Sequence, residues 1–229
     1  MEYPEIRSFV KTIENVIWVK PTLRFDEVIN KYGYPVISKE ISQRIYEFRI
    51  TKSEKLKKKY LHGENGHGKI PDKWKFMIAA PFKIDFRCCN VLKKRPMHVF
   101  EKETGVRPFI GTMAQESWLR RTRYLQVGCN SYQGKERSAP LSFWREEDIW
   151  QYINENSINY SDIYKMGYER TGCMFCMFGV HMDAAPNRFQ RMKTTHPKLY
   201  NYCINDLKIS QCLDYMGIPY KEEYKGFDI

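Results

Sequence analysis

The sequence predicts an α/β protein in which helices alternate with buried strands. Pro4 can open a helix, and residues 6–13 place apolar side chains on one helical face. A short apolar run of strand type follows at Val16-Ile17-Trp18-Val19. Residues 25–32 then repeat the helical spacing, and Gly33 can end that helix. Helix, strand and helix within about thirty residues is typical of a parallel α/β sheet.

The next elements continue this alternation. Ser38 is suited to N-cap a helix that contains Ile41 and Ile45. The run Phe109–Met113 predicts another buried strand. Residues 144–153 predict a helix with acidic side chains in its first turn, where they complement the helix dipole. We expect three apolar residues of that helix to face the core: Ile149, Trp150 and Ile153.

The last part of the chain is predicted to be helical. Pro197 opens one helix. An apolar stripe marks the next helix, and Gly217 ends it. The stripe consists of Ile209, Cys212, Leu213 and Met216. We therefore expect a single domain over 1–229, with an α/β part at 1–136, a polar insert at about 51–75 and a mainly helical part at 137–229 that carries a Cys-x-x-Cys motif.

Length and composition limit the class of protein. The chain has 229 residues, of which 42% are hydrophobic, enough to bury a core. It has no stretch of 18 apolar residues, so no membrane span is predicted. Its start is acidic and does not resemble a signal peptide. These features predict a cytoplasmic protein.

The charge favours anionic partners. The formal net charge is +11, which suits nucleotides, sulfate esters or nucleic acid without choosing among them. Lysines concentrate between Lys52 and Lys69, and a solvated helix end and loop is the simpler interpretation of that run. Gly63 to Lys69 spells GxxxxGK, but Ile70 replaces the Ser or Thr that a phosphate-binding P-loop needs, so we do not interpret it as one.

The cysteines suggest a metal site. Seven cysteines in a cytoplasmic protein argue against a disulfide framework. Cys173 and Cys176 form a Cys-x-x-Cys motif, and Cys88 and Cys89 are adjacent. Together they supply the four thiolates that a zinc ion or a [4Fe-4S] cluster requires. The alternative is that all four are ordinary buried thiols. We interpret the three other cysteines as structural: Cys129, Cys203 and Cys212.

Four segments, in order, resemble one enzyme family. Cys88–Pro96 reads CCxxxKxxP, and Gly111–Arg120 carries Glu-Ser. Pro140–Ile153 reads PLxxWxxxDIWxYI, and Asn159–Cys176 ends in GYxxxGCxxC. This set resembles the phosphoadenosine phosphosulfate (PAPS) reductase and adenylyl-sulfate reductase family. The resemblance implies an adenine nucleotide alpha-hydrolase-like, Rossmann-like parallel sheet with helices on both faces.

The resemblance also implies roles for particular residues. It favours a [4Fe-4S] cluster over zinc on four ligands: Cys88, Cys89, Cys173 and Cys176. Lys93 matches the family lysine between cluster and substrate. The segment containing Glu116, Ser117 and Arg120 matches the substrate site, where either Arg120 or Arg121 would bind a sulfate or phosphate. The expected ligand is a sulfonucleotide or an adenine nucleotide.

Three departures from the family pattern qualify the expected activity. The SGGKDS nucleotide loop is missing, which predicts an N-terminally truncated version of the fold, weak nucleotide binding, or a partner or second copy that supplies the loop. The segment 220–229 lacks the family's catalytic cysteine, and Met113 stands where relatives commonly have arginine. We therefore assign no catalytic residues. The enzyme class suggested by the family is an oxidoreductase or a sulfurtransferase. The alternatives are a nucleic-acid-binding or regulatory module, a DNA sulfur-transfer component, and an inactive zinc-bound or metal-free remnant.

Overall fold

The computed structural model describes residues 1–64, 67–132, 134 and 136–221. Two parts of segments discussed above lie outside the described residues. They are Gly66, within the GxxxxGK segment, and residues 222–229, within the segment 220–229 that lacks the family's cysteine. The α-helices among the described residues are α1 (Pro4–Val10), α2 (Phe25–Lys31), α3 (Lys39–Ile50), α4 (Glu54–His62), α5 (Arg95–Thr104), α6 (Trp118–Val127), α7 (Glu146–Glu155), α8 (Arg188–Thr195), α9 (Pro197–Asn201) and α10 (Ile209–Met216). Short 3₁₀ segments span Asp72–Ala79, Ala114–Glu116 and Val180–Met182, and π-helical turns span Asn90–Lys94 and Tyr202–Asp206.

A small parallel sheet lies at the centre of the molecule. Strand β1 (Val36–Ile37) pairs in parallel with β4 (Met177–Phe178). Just before β1, Tyr34 forms a parallel bridge with Ile84, and the N–H of Asp85 donates to the Tyr34 carbonyl at 3.1 Å. Residues 34–37 are therefore flanked by chain segments on both sides. A separate antiparallel pair joins β2 (Asn130–Ser131) to β3 (Arg137–Ser138).

The predicted fold class is confirmed only in part, because the parallel sheet in the described residues is limited to two-residue strands. Two predicted strands were wrong. Residues 16–19 have irregular backbone, and Ile17 is 69% exposed. Phe109 makes only a bridge to Ser138 and is 80% exposed. Both runs have strand-type composition but lie away from the core, and a strand forms only where a neighbouring segment pairs with it.

Several predicted helices are confirmed with their caps. The Ser38 hydroxyl accepts from the N–H of Ile41 at 3.1 Å, which caps α3. Helix α2 buries three of its apolar side chains, and Gly33 follows it with φ +130°. The apolar stripe of α10 is buried, and Gly217 ends the helix in a left-handed conformation. Local signals sufficed here because capping and periodicity act within one helix.

The core joins the first ninety residues to the last sixty. Its fully buried side chains include Val28, Ile45, Met77, Phe189 and Leu213. By contrast, every residue of α5, α6 and α7 is at least partly exposed. The expectation that Ile149, Trp150 and Ile153 face the core was therefore wrong, since all three are half-buried and do not pack against the core cluster. Trp150 instead packs its ring against Tyr160 and Tyr164, at centroid distances of 5.2 and 5.6 Å.

Helix α1 begins at Pro4 as predicted, but its apolar face is not a core face. Ile13 lies beyond the helix end and is 48% exposed, while Ile6 only borders the core. Over the described part of the chain, the helices are too short or too polar to cross a bilayer.

Candidate metal centre and anion site

The adjacent cysteines follow a sharp turn at the edge of the parallel sheet. The Asp85 carboxylate accepts the backbone N–H of Arg87 at 2.6 Å, which turns the chain immediately after its bridge to Tyr34. The Arg87 carbonyl accepts from Asn90 and Val91, so a helical turn begins at once. Two neighbouring cysteines can face one site only if the backbone turns in this way. Cys88 is buried, and Cys89 is half-buried.

The Cys-x-x-Cys pair lies in a tight turn just before β4. The N–H of Cys176 donates to the Cys173 carbonyl at 3.0 Å, which closes the turn, and the two thiols are within electrostatic range of each other. Between them, Phe175 is buried against Phe25 and Tyr202. This ring anchors the turn to the core and leaves both cysteines half-buried.

The structure brings the two cysteine pairs together. Cys88 interacts electrostatically with Cys89, Cys176 and Cys173. Cys89 also interacts with Cys173 and Cys176, which interact with each other. Every pair among the four thiols is thus within electrostatic range, although Cys173 lies 84 positions after Cys89 in the chain. Cys129, Cys203 and Cys212 are not part of these interactions, and the last two are fully buried in helical segments, as predicted.

Lys93 lies among these sulfurs. Its ammonium group is within electrostatic range of Cys173, Cys89 and Cys176, and the residue as a whole is exposed. Burial opposes the charged form of Lys93, yet interactions with Cys173, Cys89 and Cys176 outweigh it and raise its pKa. A persistent positive charge beside four sulfurs would temper the negative charge of thiolates.

Burial favours the neutral form of three of these thiols. Burial raises the pKa of Cys88, and its three thiol neighbours raise it further. Burial also raises the pKa of Cys173, against the pull of Lys93. For Cys176, burial raises the pKa to about 11, although the N–H of Phe178 donates to its sulfur and opposes the shift. A bound cation would favour the deprotonated form, because a metal ligand must lose its proton.

The four sulfurs are neighbours, but they are not close enough together to coordinate one metal ion. Among residues 1–64, 67–132, 134 and 136–221, no three Cys, His, Asp or Glu side chains lie close enough to hold a single metal ion. The all-cysteine donor set nevertheless has the right chemistry for zinc or an iron–sulfur cluster, because both prefer thiolate ligands.

The predicted substrate residues lie around the start of α6. Ser117 caps this helix, and its hydroxyl accepts from the N–H of Arg120 at 3.3 Å. Arg120 forms an ion pair with Glu116. Arg120 also lines a cleft of about 410 Å³, whereas Arg121 does not. The structure thus distinguishes two arginines that the sequence left equivalent.

The cleft contains cations that the sequence motifs did not identify. Lys94, Arg123 and Arg137 line it together with Arg120. Arg123 also donates to the Ser131 hydroxyl at 2.9 Å. Lys94 follows Lys93 in the chain, so neighbouring residues contribute to the thiol group and to the cleft. Four cations around one cleft make it suited to an anion.

Two arginine–aspartate pairs were also missed. Arg87 pairs with Asp85 beside Cys88, and Arg188 pairs with Asp183 after the Cys-x-x-Cys turn. In the sequence, the two members of each pair are only two or five residues apart. Such spacings of arginine and aspartate are common, so they do not indicate a pair. Three basic residues of α8 are also engaged internally. Arg188 binds Asp183, Arg191 binds the carbonyl of Gly167, and Lys193 binds that of Lys221.

Comparisons with known proteins agree with the motif order. The model of the phosphoadenosine phosphosulfate reductase domain matches residues 5–178. An adenosine 5'-phosphosulfate reductase of Neisseria meningitidis is 23% identical over 135 residues, which cover 58% of this chain and 52% of the relative. The corresponding Staphylococcus epidermidis protein is 24% identical over 179 residues, covering 75% of this chain and 63% of the relative.

An uncharacterized protein of Methanocaldococcus jannaschii is 29% identical over 126 residues, or 54% of this chain and 29% of that protein. The matches therefore span less than two thirds of each of these relatives. No solved structure matches the chain. The family match covers both cysteine pairs, Lys93 and the start of α6. The chain therefore belongs to the phosphoadenosine phosphosulfate reductase domain family.

Proposed function

We propose that the four clustered thiols hold a [4Fe-4S] cluster and that the adjacent cationic cleft binds the anionic end of a sulfonucleotide or adenine nucleotide. The main supporting observation is that Cys88, Cys89, Cys173 and Cys176 all interact with one another. Two cysteine pairs far apart in sequence need not meet in a fold, and their meeting costs desolvation that a bound cation would offset.

The chemistry of the site fits this cofactor. Four cysteine sulfurs are the usual ligand set of a [4Fe-4S] cluster, with zinc as the alternative occupant. When bound, the cluster would organise the site and add a local electrostatic field. Lys93 would offset the negative charge of the thiolates and, on its solvent side, attract an anion. Thiols available for a metal suit a reducing compartment, which supports a cytoplasmic location.

The cleft supplies the remaining recognition. Arg120, Arg123 and Arg137 present planar guanidinium groups, which can each form two parallel hydrogen bonds to a sulfate or phosphate. A second hollow, of about 360 Å³ on α7, is lined by Asp148, Glu155 and aromatic rings and would repel an anion. The anion is thus expected near the family's substrate segment.

Anaerobic purification tests the proposed cofactor. We expect a brown protein with broad absorbance near about 400 nm, as thiolate-bound iron clusters show, and with iron and acid-labile sulfide in equal amounts. Colourless protein that contains stoichiometric zinc would replace the cluster with the zinc alternative. Protein that binds neither metal after reconstitution would contradict the metal proposal.

Neighbouring arginines provide a matched test of the anion site. We expect Arg120→Gln to weaken binding of adenosine 5'-phosphosulfate by about tenfold or more, because a hydrogen bond to a charged group contributes about 1.5–3 kcal/mol. Arg121→Gln should leave affinity unchanged, because Arg121 lies outside the cleft. Isothermal titration calorimetry measures both. Equal losses in the two variants would show that general charge, rather than the cleft, binds the ligand.

A second candidate function is binding of single-stranded nucleic acid, and the exposed surface around α6 favours it. Helix α6 contains three arginines and no acidic residue. Four aromatic side chains, each next in sequence to a residue that lines the cleft, are 61–80% exposed: Phe109, Trp118, Tyr132 and Phe143. Exposed rings beside cations match the stacking and phosphate contacts that single strands use.

Salt dependence distinguishes this candidate. If it holds, anisotropy of a labelled oligonucleotide should show affinity that falls steeply as salt rises, because phosphate contacts release counterions. Trp118→Ala should cost about 1–3 kcal/mol if a base stacks on that ring. Binding that ignores salt between low and physiological ionic strength would count against the candidate.

A further inference from the structure

An arginine immediately before the adjacent cysteines is held by three neighbouring side chains. The Nε and Nη2 atoms of Arg87 donate to the Asp85 carboxylate at 2.9 and 2.5 Å. Its guanidinium also lies between two rings, 4.6 Å from the centroid of Tyr32 and 4.8 Å from that of Tyr46. Asp85 itself is 1% exposed and bonded to the central sheet segment. Helices α2 and α3 and the sheet thus converge on the residue that precedes Cys88.

A similar arginine holds the second cysteine pair. Arg188 forms a two-pronged ion pair with Asp183, with both N···O distances at 2.7 Å. Its remaining nitrogen, Nη1, donates to the carbonyls of Cys176 and Phe178 at 3.1 and 3.0 Å. This guanidinium therefore ties the end of the Cys-x-x-Cys turn to the start of α8.

We propose that the pairs Arg87–Asp85 and Arg188–Asp183 are positioning residues, each of which holds one cysteine pair in place for a shared metal centre. The inference rests on the proposed function for the nature of that centre. Each pair acts through backbone next to a cysteine and makes no bond to the metal itself. The surrounding fold therefore preorganises the thiols before any metal arrives, which lowers the entropic cost of binding it.

Geometry explains why arginine is needed at both positions. A guanidinium has a rigid fork that fits a carboxylate and still has donors for other groups. Lysine keeps the charge but has a single nitrogen on a flexible chain. Arg87→Lys should therefore lose the two-pronged pair and the stacking, and Arg188→Lys should lose either Asp183 or the two carbonyls.

Alkylation of the metal-free, reduced protein tests the positioning role. Each cysteine is labelled with a small neutral maleimide and its rate is followed by peptide mass spectrometry. We expect Arg87→Lys to raise the labelling rate of Cys88 several-fold and to leave Cys176 unchanged. Arg188→Lys should do the reverse. Cys203 and Cys212 are both fully buried and away from the thiol group, so they report global opening.

The outcomes separate positioning from general stability. Asp85→Asn, a near-isosteric change, is measured alongside and should raise the rate of Cys88 in the same selective way. Arg44→Met removes another half-buried arginine with a backbone carbonyl partner, that of Lys69, and should not expose Cys88 selectively. Unchanged labelling of Cys88, or a parallel rise at Cys203 and Cys212, would overturn the proposal. Because no metal is present, the labelling result tests the positioning of the thiols separately from the proposed cluster.

Discussion

Cys176→Ser should abolish the visible absorbance and the iron content of the anaerobically purified protein. Serine is close to cysteine in size, so the turn that ends at Cys176 and the packing of Phe175 should survive. Its hydroxyl, however, is a poor substitute for a thiolate as a ligand of iron. Iron and sulfide analysis, with the spectrum near about 400 nm, measures the loss.

Cys129→Ser is the matched control for this variant. Cys129 is half-buried like Cys176 but lines the cleft and takes no part in the thiol interactions. It should keep its full cluster content. A Cys176→Ser protein that retained the cluster would remove this cysteine from the ligand set. Loss of the cluster in both variants would mean that the cofactor depends on protein stability rather than on particular thiols.

The grouping of the four thiols could be predicted from the sequence, but the arginine–aspartate pairs that hold the neighbouring backbone could not. A Cys-Cys pair and a Cys-x-x-Cys motif are rare enough, in family order, to predict that Cys88 and Cys173 meet. The pair Asp85 and Arg87 gives no such signal. Its meaning appears only when the fold brings Tyr32 and Tyr46 to either side of the guanidinium. Such contacts join residues that are far apart in the sequence, so the spacing of residues along the chain does not predict them.

The same distinction separates the helices from the strands. The Ser38 cap and the buried stripe of α10 follow from residues three or four apart, and both were confirmed. The strands expected at 16–19 and 109–113 needed partners elsewhere in the chain and were wrong. Helix α7 lies between these cases, because its periodicity predicted a helix but not the surface on which Trp150 packs.

Arg49, in the last turn of α3, provides the largest expected effect on stability. Arg49 donates to four backbone carbonyls at the end of the 3₁₀ segment Asp72–Ala79 and just after it. The acceptors are Met77 at 2.8 Å, Ile78 at 3.0 Å, Ala80 at 2.9 Å and Phe82 at 2.7 Å. Burial lowers the pKa of Arg49, yet the carbonyls hold the charged form in place. One side chain thus fixes the segment that leads to the adjacent cysteines.

Arg49→Met keeps the apolar stem but leaves these carbonyls without their donor, so we expect a loss of about 3 kcal/mol in the free energy of unfolding. For a chain of this size, the corresponding fall in Tm is about 10 °C.

Arg44→Met is the matched control on the same helix. Arg44 donates to one carbonyl, that of Lys69, and forms an ion pair with the exposed Glu40. Removing it should cost only about 1 kcal/mol. Thermal unfolding of the reduced, metal-free proteins, followed by circular dichroism, measures both. Equal losses would mean that Arg49 contributes as an ordinary surface charge and not as the fastening of the 77–82 segment.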